Sequence, residues 1–380
     1  MKNRVASVVL NNFTNDSRVL KEGISLQNNG YDVTIVALHK DGLEEFEKVQ
    51  SIPVHRVKLR SMHWSKNIVA SLFKYIEWSY HVIKKYRKYE VMHCHDLNAL
   101  HLGVISKLFN KKMKIVYDAH EYETERYNQS KMERSVAKVL EKFFLKYTDS
   151  VITVSDSIAN DYVKLYGIKK PYLVFNTPNL VSVQKKNIFR EKFNINQEDT
   201  IFLYQGGVSK GRGILEFADL IKNKQNVVYV IMGYGLLESE IKEYASKYDN
   251  IYFHEAVSPD VLLNYTSSAD IGVCIEENLC KSWDYALPNK MFEYHMVGLP
   301  IIVSGLYEMK KFVRENDTGY ILDDIYDQQE FDAKFDTILD TYKSKEKNIK
   351  RVTEIYNWEV QEKVLLSIYE NFEKGNINVK

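Results

Sequence analysis

The chain has 380 residues, 45% hydrophobic and 27% charged, with 52 Lys and Arg against 51 Asp and Glu and a formal net charge of +1. That balance excludes a dedicated nucleic-acid binder, which carries a basic excess or tail, and equally a disordered or fibrous chain. The length suits two α/β domains, and Cys94, Cys274 and Cys280 fit neither a disulfide framework nor a paired CxxC zinc site, so a reducing compartment is expected.

From the N-terminus, MKNRVASVVL enters a strand-like run directly, without the apolar region and cleavage site of a signal peptide. The longest apolar stretch, 67–83, is interrupted by Lys74 and Glu77 and is too polar to span a bilayer. A cytoplasmic protein is expected, at most resting on the inner face of the plasma membrane. Strands are predicted at VASVVL, DVTIVAL, VHRVKL, VMHC, KIVYDA and SVITVS in the first half, and at TIFLYQGG, VVYVIMG, IYFHEA, DIGVCI and LPIIVS in the second. Amphipathic segments separate most of them. This rhythm predicts two doubly wound, Rossmann-like parallel sheets in tandem, with ligands at the carboxyl ends of the strands and a cleft between the domains. The expected domains are 1–179 and 200–356, joined by a polar linker at 180–199. A terminal amphipathic helix over 357–380 presents Val360, Val364, Leu365, Ile368 and Tyr369 near one face.

The first βα turn, NNFTNDSRVLKEG, lacks the GxGxxG of a dinucleotide site, which excludes a nicotinamide or flavin enzyme at this turn. Asn15 and Asp16 suit either a helix cap or contact with an acceptor. Arg18 opposes the helix dipole and so suits a place facing a charged acceptor. The stretch 56–88 sets Arg56, Lys58, Arg60, Lys66 and further cations against the single acid Glu77, interleaved with Trp64, Phe73, Tyr75, Trp78 and Tyr80. That mixture suits an anionic membrane interface and a lipid-linked acceptor, or else aromatics turned onto the sheet beneath a solvated basic face. In HCHD, His93 and His95 share one face of a strand while Cys94 points away, an arrangement poor for zinc, and Asp96 or Asn98 is placed to cap the next helix. In YDAHEYETER, His120 follows a strand among Asp118, Glu121, Glu123 and Glu125, which favour its protonated form.

The second half carries the phosphate chemistry. YQGGVSKGRGI follows a strand and opens a helix, so that its glycines admit backbone N–H groups to an anion while Lys210 and Arg212 add charge. MGYGLLESEIK is a second Gly-rich turn. In ALPNKMFEYHMVGLPIIVS, Pro288 stands at a helix start, Lys290 and Glu293 share a face, and Gly298 with Pro300 ends the helix. A carboxylate there suits a ribose hydroxyl and the lysine suits phosphate.

Taken together and in order, NDSRVLKEGISLQNNGYDVTIVAL, YDAHEYETE, VITVSDSIA, VFNTPN, YQGGVSKGRGI, MGYGLLESEIK and PNKMFEYHMVGLPIIVS resemble the landmarks of the GT-B glycosyltransferases of family 4. The resemblance implies transfer from a nucleotide diphosphate sugar, its base uracil, guanine or adenine, to a glycan or lipid-linked acceptor of cell-surface polysaccharide. It implies retention of anomeric configuration and neither cofactor nor bound metal. It matches Arg212 to the family's phosphate-binding basic position, Glu293 to the second of its paired glutamates and His120 to the cleft histidine beside the transferred sugar; with the turns read above, donor binding is expected at Gly206, Gly207, Lys210, Arg212, Gly233, Pro288, Asn289, Lys290 and Glu293, and acceptor binding at Asn15, Asp16 and Arg18. His120, Arg212 and Lys290 are the catalytic candidates. Two positions depart from the family pattern: Tyr285 stands where the first of two paired glutamates is usual, and Gly207 where an arginine is common. Two other readings remain open, a non-hydrolysing nucleotide-sugar epimerase and a catalytically silent partner subunit.

Overall fold

The computed structural model describes residues 3–65 and 67–374. The chain divides into two compact units, one of Met1–Val174 with Glu362–Lys380 and the other of Phe175–Gln361. The first unit is built on strands β1 (Arg4–Val8), β2 (Asp32–Leu38), β3 (Phe46–Val49), β4 (Ile52–Val57), β5 (Val91–His95), β6 (Lys114–Ala119), β7 (Ser150–Thr153) and β8 (Tyr172–Leu173). They form one eight-stranded sheet in the order β3-β4-β2-β1-β5-β6-β7-β8. Every pairing is parallel except β3 with β4, a hairpin that turns through Gln50 and Ser51 at positive φ. The second unit has β9 (Thr200–Gly207), β10 (Val227–Tyr234), β11 (Ile251–Glu255), β12 (Ile271–Cys274), β13 (Ile301–Ser304) and β14 (Gly319–Leu322). These make an all-parallel six-stranded sheet in the order β11-β10-β9-β12-β13-β14.

The β-branched runs are strands because both of their faces are covered. In β10, Val227, Tyr229 and Ile231 enter one apolar layer with Phe217 and Phe331, while Val228, Val230 and Met232 enter the opposite layer with Met291 and Phe292. That period of two lets one continuous hydrophobic run serve two cores. The eleven predicted strands are present. The sequence reading missed β3, β8 and β14, which are short, half-exposed or interrupted by charge.

Two expectations change. Residues 180–199 are more than a linker, because the helix Ile188–Phe193 buries Phe189 in the second unit's core and ties Arg190 to Asp270 at 2.9 Å. The segment's polar surface hid that one anchoring aromatic. The basic stretch 56–88 is also divided in two. Arg56 is buried, donating to the carbonyls of Asn12, Phe13 and Glu44 and to the Glu47 carboxylate, so it is part of the core scaffold and not of a surface. Trp78 and Tyr86 turn inward from the helix Ile68–Tyr86, whereas Trp64, Phe73 and Tyr80 are exposed; Lys66 lies outside the described residues. The terminal helix is described over Trp358–Glu373 and buries Leu365, Ile368 and Tyr369; residues 375–380 of the stretch expected to form it also lie outside the described residues. Among the described residues no helix is long and apolar enough to cross a membrane.

One buried polar knot fastens the first unit. Glu141, on the helix Lys131–Leu145, is fully buried and accepts hydrogen bonds from the hydroxyls of Tyr117 at 2.6 Å, Tyr162 at 2.5 Å and Tyr166 at 2.5 Å. Burial pushes its carboxyl up, against the pull of those three phenols.

Gly272 on β12 leaves no room for a side chain, since an added Cβ would lie 2.3 Å from the ring of buried Tyr294. Gly272→Ala is expected to destabilise the second unit by about 1–3 kcal/mol, read as a lower urea midpoint at unchanged slope.

Candidate functional site

In the first unit, chemistry gathers at the carboxyl ends of β5 and β6. The centre is Asp118, fully buried on β6 and gripped by Arg18 through both oxygens at 2.8 and 2.7 Å. Arg18 itself is buried, donates to the Val174 carbonyl at 2.8 Å and lies 3.2 Å from Glu22 one helical turn on. The expectation that Arg18 faces an acceptor is therefore corrected, since its guanidinium is spent on compensating carboxylates inside the fold. Asp16 caps the helix Ser17–Asn28 by accepting from the Val19 N–H at 3.2 Å, and Asn15 is exposed beside it.

His120 follows β6 and is about one-fifth exposed, with 21% of its side chain open. Its Nε2 lies 3.2 Å from Asp118 and 3.0 Å from His95 Nδ1, while Asp96 sits 4.0 Å from its Nδ1 and accepts its backbone N–H at 3.1 Å. Burial opposes a charge on His120, but Asp96 and Asp118 outweigh it and push the pKa up to about 10. The acids expected to do this divide differently in space. Asp118 acts on the imidazole directly, Glu121 pairs with Arg126, Glu123 accepts the Leu97 N–H, and Glu125 pairs with Lys138 and Arg134. Asp96, expected as a cap, instead holds His120 from the left-handed backbone region at φ 63°. Glu123 does the capping.

Beneath His120 the cluster continues as neutral groups. Burial, with their charged neighbours, holds His93 and His95 below the usual imidazole range, and burial with the Asp118 charge pushes Glu22 well above the usual carboxyl range. The protonated form of Glu22 is thereby favoured beside Asp118. His93 and His95 stack at 4.5 Å on one face of β5, and Cys94 turns the other way, against Gly103. His95 meets Ser7 at 2.8 Å, and His93 meets the Tyr369 hydroxyl of the terminal helix at 2.9 Å. Ligand-type atoms of Glu22, His93, His95 and Asp118 lie within 4.8 Å of one another, a grouping invisible in HCHD alone. The Arg18 guanidinium pairs with two of the four, Asp118 at 2.7 Å and Glu22 at 3.2 Å.

In the second unit the phosphate-type residues meet at the carboxyl ends of β9 and β12. Gly206 and Gly207 end β9 in exposed backbone, and the turn continues through exposed Lys210 to Arg212. Gly233 on β10 faces that turn so closely that a Cβ there would lie 1.9 Å from the Gly206 carbonyl oxygen. Gly213 closes the turn at φ 62°, its absent Cβ making room for Ile275. Arg212 pairs with the buried carboxylate of Glu276 and lies 4.8 Å over the Trp283 ring. Glu276 also stands 3.8 Å from the Lys290 ammonium, which lies 4.3 Å over the Tyr204 ring. Burial works against the charge on Arg212, but Glu276 holds its pKa above the ordinary arginine value. Pro288 is the N-cap of the helix Asn289–Met296, which places Asn289 and Lys290 in its first turn. Glu293, one turn on, accepts from Gln205 at 2.6 Å, and the Thr266 hydroxyl holds the other end of that amide at 2.7 Å. The arrangement is a Gly-rich turn and a helix start flanked by two oriented cations, with a fixed carboxylate alongside. It suits a diphosphate and an adjoining diol.

Two family models match, Glycosyltransferase Family 4 over residues 19–177 and Glycosyl transferases group 1 over residues 185–354. The chain belongs to glycosyltransferase family 4. Its fold is GT-B: the chain is similar to the sucrose-phosphate synthase of Thermosynechococcus elongatus at TM-score 0.80 and 16% identity, covering 99% of this chain and 100% of that one. It is also similar to Anabaena HepE in complex with UDP-glucose, at TM-score 0.72 and 12% identity over 98% and 99% of the two chains. Among curated proteins it is similar to spore coat protein SA of Bacillus subtilis, 25% identical over 45% of this chain. That match spans 48% of the curated relative, about half its length.

For this family member, sequence reasoning missed Glu276, Gln205, Thr266 and Trp283 around the second-unit cluster, and Glu22 and Ser7 in the first. Glu22 stands inside the segment NDSRVLKEG and Ser7 in the first strand, but only the strand order brings each to its partners. A signal was present for Glu276 alone, as a carboxylate immediately after the apolar strand DIGVCI.

Removing the guanidinium while leaving Asp118 buried is expected to cost about 3–5 kcal/mol, so Arg18→Met lowers the urea midpoint of the first unit sharply. A second expectation follows from His120. Its pKa is raised above the ordinary histidine value, so the stability its charge contributes is complete below about pH 6.5 and is lost as pH rises through about 10. Urea unfolding of the native protein and of His120→Gln across that range is expected to show the largest difference at the acid end and convergence above pH 10.

Proposed function

We propose that the protein is a retaining, metal-independent glycosyltransferase that moves a sugar from a nucleotide diphosphate sugar to a glycan or lipid-linked acceptor in cell-surface polysaccharide synthesis. The observation that carries this is the second-unit cluster, in which a Gly-rich turn, Arg212 and Lys290 surround one buried carboxylate while Glu293 is fixed by Gln205. The UDP-glucose held by Anabaena HepE, of the same fold, supports a nucleotide-sugar donor.

In this reading the backbone amides at 206–213 and the first turn of the helix Asn289–Met296 receive the diphosphate, and Glu293 takes the ribose hydroxyls. As the sugar–phosphate bond breaks, charge grows on the phosphate and the sugar becomes oxocarbenium-like. Arg212 and Lys290 stabilise that charge because they are oriented before the donor arrives. Glu276 keeps together two cations that would otherwise repel. The leaving phosphate takes the acceptor proton on the face it departs from, which retains configuration without a carboxylate nucleophile. His120, held protonated by Asp96 and Asp118, orients the transferred sugar. Asn15 and Asp16 remain the acceptor-side candidates.

The proposed setting is the cytoplasmic side of a membrane. The helix Ile68–Tyr86 exposes Ile68, Val69, Leu72, Phe73 and Ile76, and its one acid, Glu77, is bound to Ser61 and to the Arg60 N–H. This supports peripheral contact through the exposed part of residues 56–88, Arg56 excepted, and a lipid-linked acceptor.

The test is a panel of UDP-, GDP- and ADP-sugars, read by thermal shift and by release of free nucleotide with a lipid-linked or oligosaccharide acceptor. One donor is expected to raise the melting temperature by mass action, with the shift lost in Arg212→Ala and Glu293→Ala and turnover reduced at least about 100-fold in Arg212→Ala. Isomerised donor without an acceptor product would replace the transferase by an epimerase, and binding without turnover would make Tyr285 the mark of a silent subunit.

A further inference from the structure

The helix Lys131–Leu145 carries an apolar stripe that none of the described residues covers. Met132 is 76% exposed, Val136 52%, Val139 69% and Phe143 49%. At spacings of four, three and four these residues lie in one line along the helix. A line of apolar side chains about half exposed or more is costly and marks a surface with an occupant.

The charges beside the stripe identify that occupant. Lys131, Lys142 and Lys146 are exposed along its flank. The helix has two acids, and neither answers them: Glu133 is engaged in a capping box with Ser130, and Glu141 is buried under three tyrosines. A second copy seated on this face would set the same lysines against one another. An anionic lipid surface complements both the stripe and its flank, with lysine stems lying along the apolar surface and ammonium groups at the phosphates.

The strand order then adds a partner. The crossovers β4 to β5, β5 to β6 and β6 to β7 all step the same way along the sheet. Right-handed connections therefore place the helices Ile68–Tyr86, Asp96–Phe109 and Lys131–Leu145 side by side on one face. The middle helix contacts both neighbours and is largely buried between them, while Leu108 and Phe109 at its end are exposed. The outer two run parallel, roughly 20 Å apart at twice the spacing of a packed pair.

We propose that the helix Lys131–Leu145 is a second membrane-contact element, and that the first unit docks on anionic lipid through two parallel helices. This rests on the membrane contact proposed for residues 56–88 and extends it. One amphipathic helix leaves a bound body free to rock about its axis. Two parallel helices fix its rotation, and each raises the effective concentration of the other at the bilayer.

The experiment is flotation of the full chain with vesicles of phosphatidylcholine alone and of phosphatidylcholine mixed equally with phosphatidylglycerol. Val139→Asp/Phe143→Asp tests the new helix and Leu72→Asp/Phe73→Asp the other; all four positions are exposed, and equal melting temperatures verify the fold. The native protein is expected to float with the anionic vesicles and to release in high salt, and each double variant to bind at least about tenfold more weakly. If Val139→Asp/Phe143→Asp floats like the native protein while Leu72→Asp/Phe73→Asp does not, the two-helix inference is wrong and the one-helix contact stands. If the native protein binds neither vesicle, both fall. If light scattering shows a native dimer that Val139→Asp/Phe143→Asp dissociates, the stripe belongs to a second copy and the inference is overturned.

Discussion

The handedness of the strand crossovers is the constraint on which the rest of this structure depends. A right-handed βαβ connection puts its helix on one face or the other according to the direction in which the chain steps. In each sheet the chain first steps one way from β1 or β9 and later returns to the other side, at β5 or β12. At that reversal the connecting helices part to opposite faces and the strand ends between them are left uncovered. His95 and its Ser7 contact lie at the reversal of the first sheet. The Gly206 turn and Glu276 lie at that of the second.

Both clusters solve one electrostatic problem. Backbone ends and helix starts favour anions, yet a carboxylate buried there needs cations of its own. The first unit answers with Arg18 and a protonated His120 around Asp118, and leaves Glu22 neutral. The second answers with Arg212 and Lys290 around Glu276. The difference lies in what remains exposed. Arg18 is enclosed and acts only on its neighbours, while the Arg212 side chain keeps a third of its surface open, at 33%. A buried carboxylate therefore locks one cation into the fold and aims another outward.

Legibility in the sequence followed the range of the interaction concerned. The strands of both sheets were readable because a buried parallel strand is a local run of β-branched residues, and the Pro288 helix because its start and stop signals are local too. The short edge strands carried too few residues to register. The Asp118 cluster was not readable as a unit, since Glu22, His93 and Asp118 sit in three separate segments and only strand order unites them. Charge alone also misled: Arg18 looked like a ligand-facing cation and Arg56 like a surface one, because a sequence does not show which carbonyls and carboxylates wait inside.

The three phenols around Glu141 have a consequence for how this chain is free to vary. A surface helix is ordinarily fastened by the apolar residues on its inner side, and exchanging residues on its outer side is then limited by their effect on solubility and register. Here directional O–H···O bonds from Tyr117, Tyr162 and Tyr166 fix both the rotation and the depth of the helix Lys131–Leu145. Its outward residues contribute little to keeping it in place. Selection can therefore rewrite that outer surface without touching the fold, and what persists there records the surroundings in which the protein works.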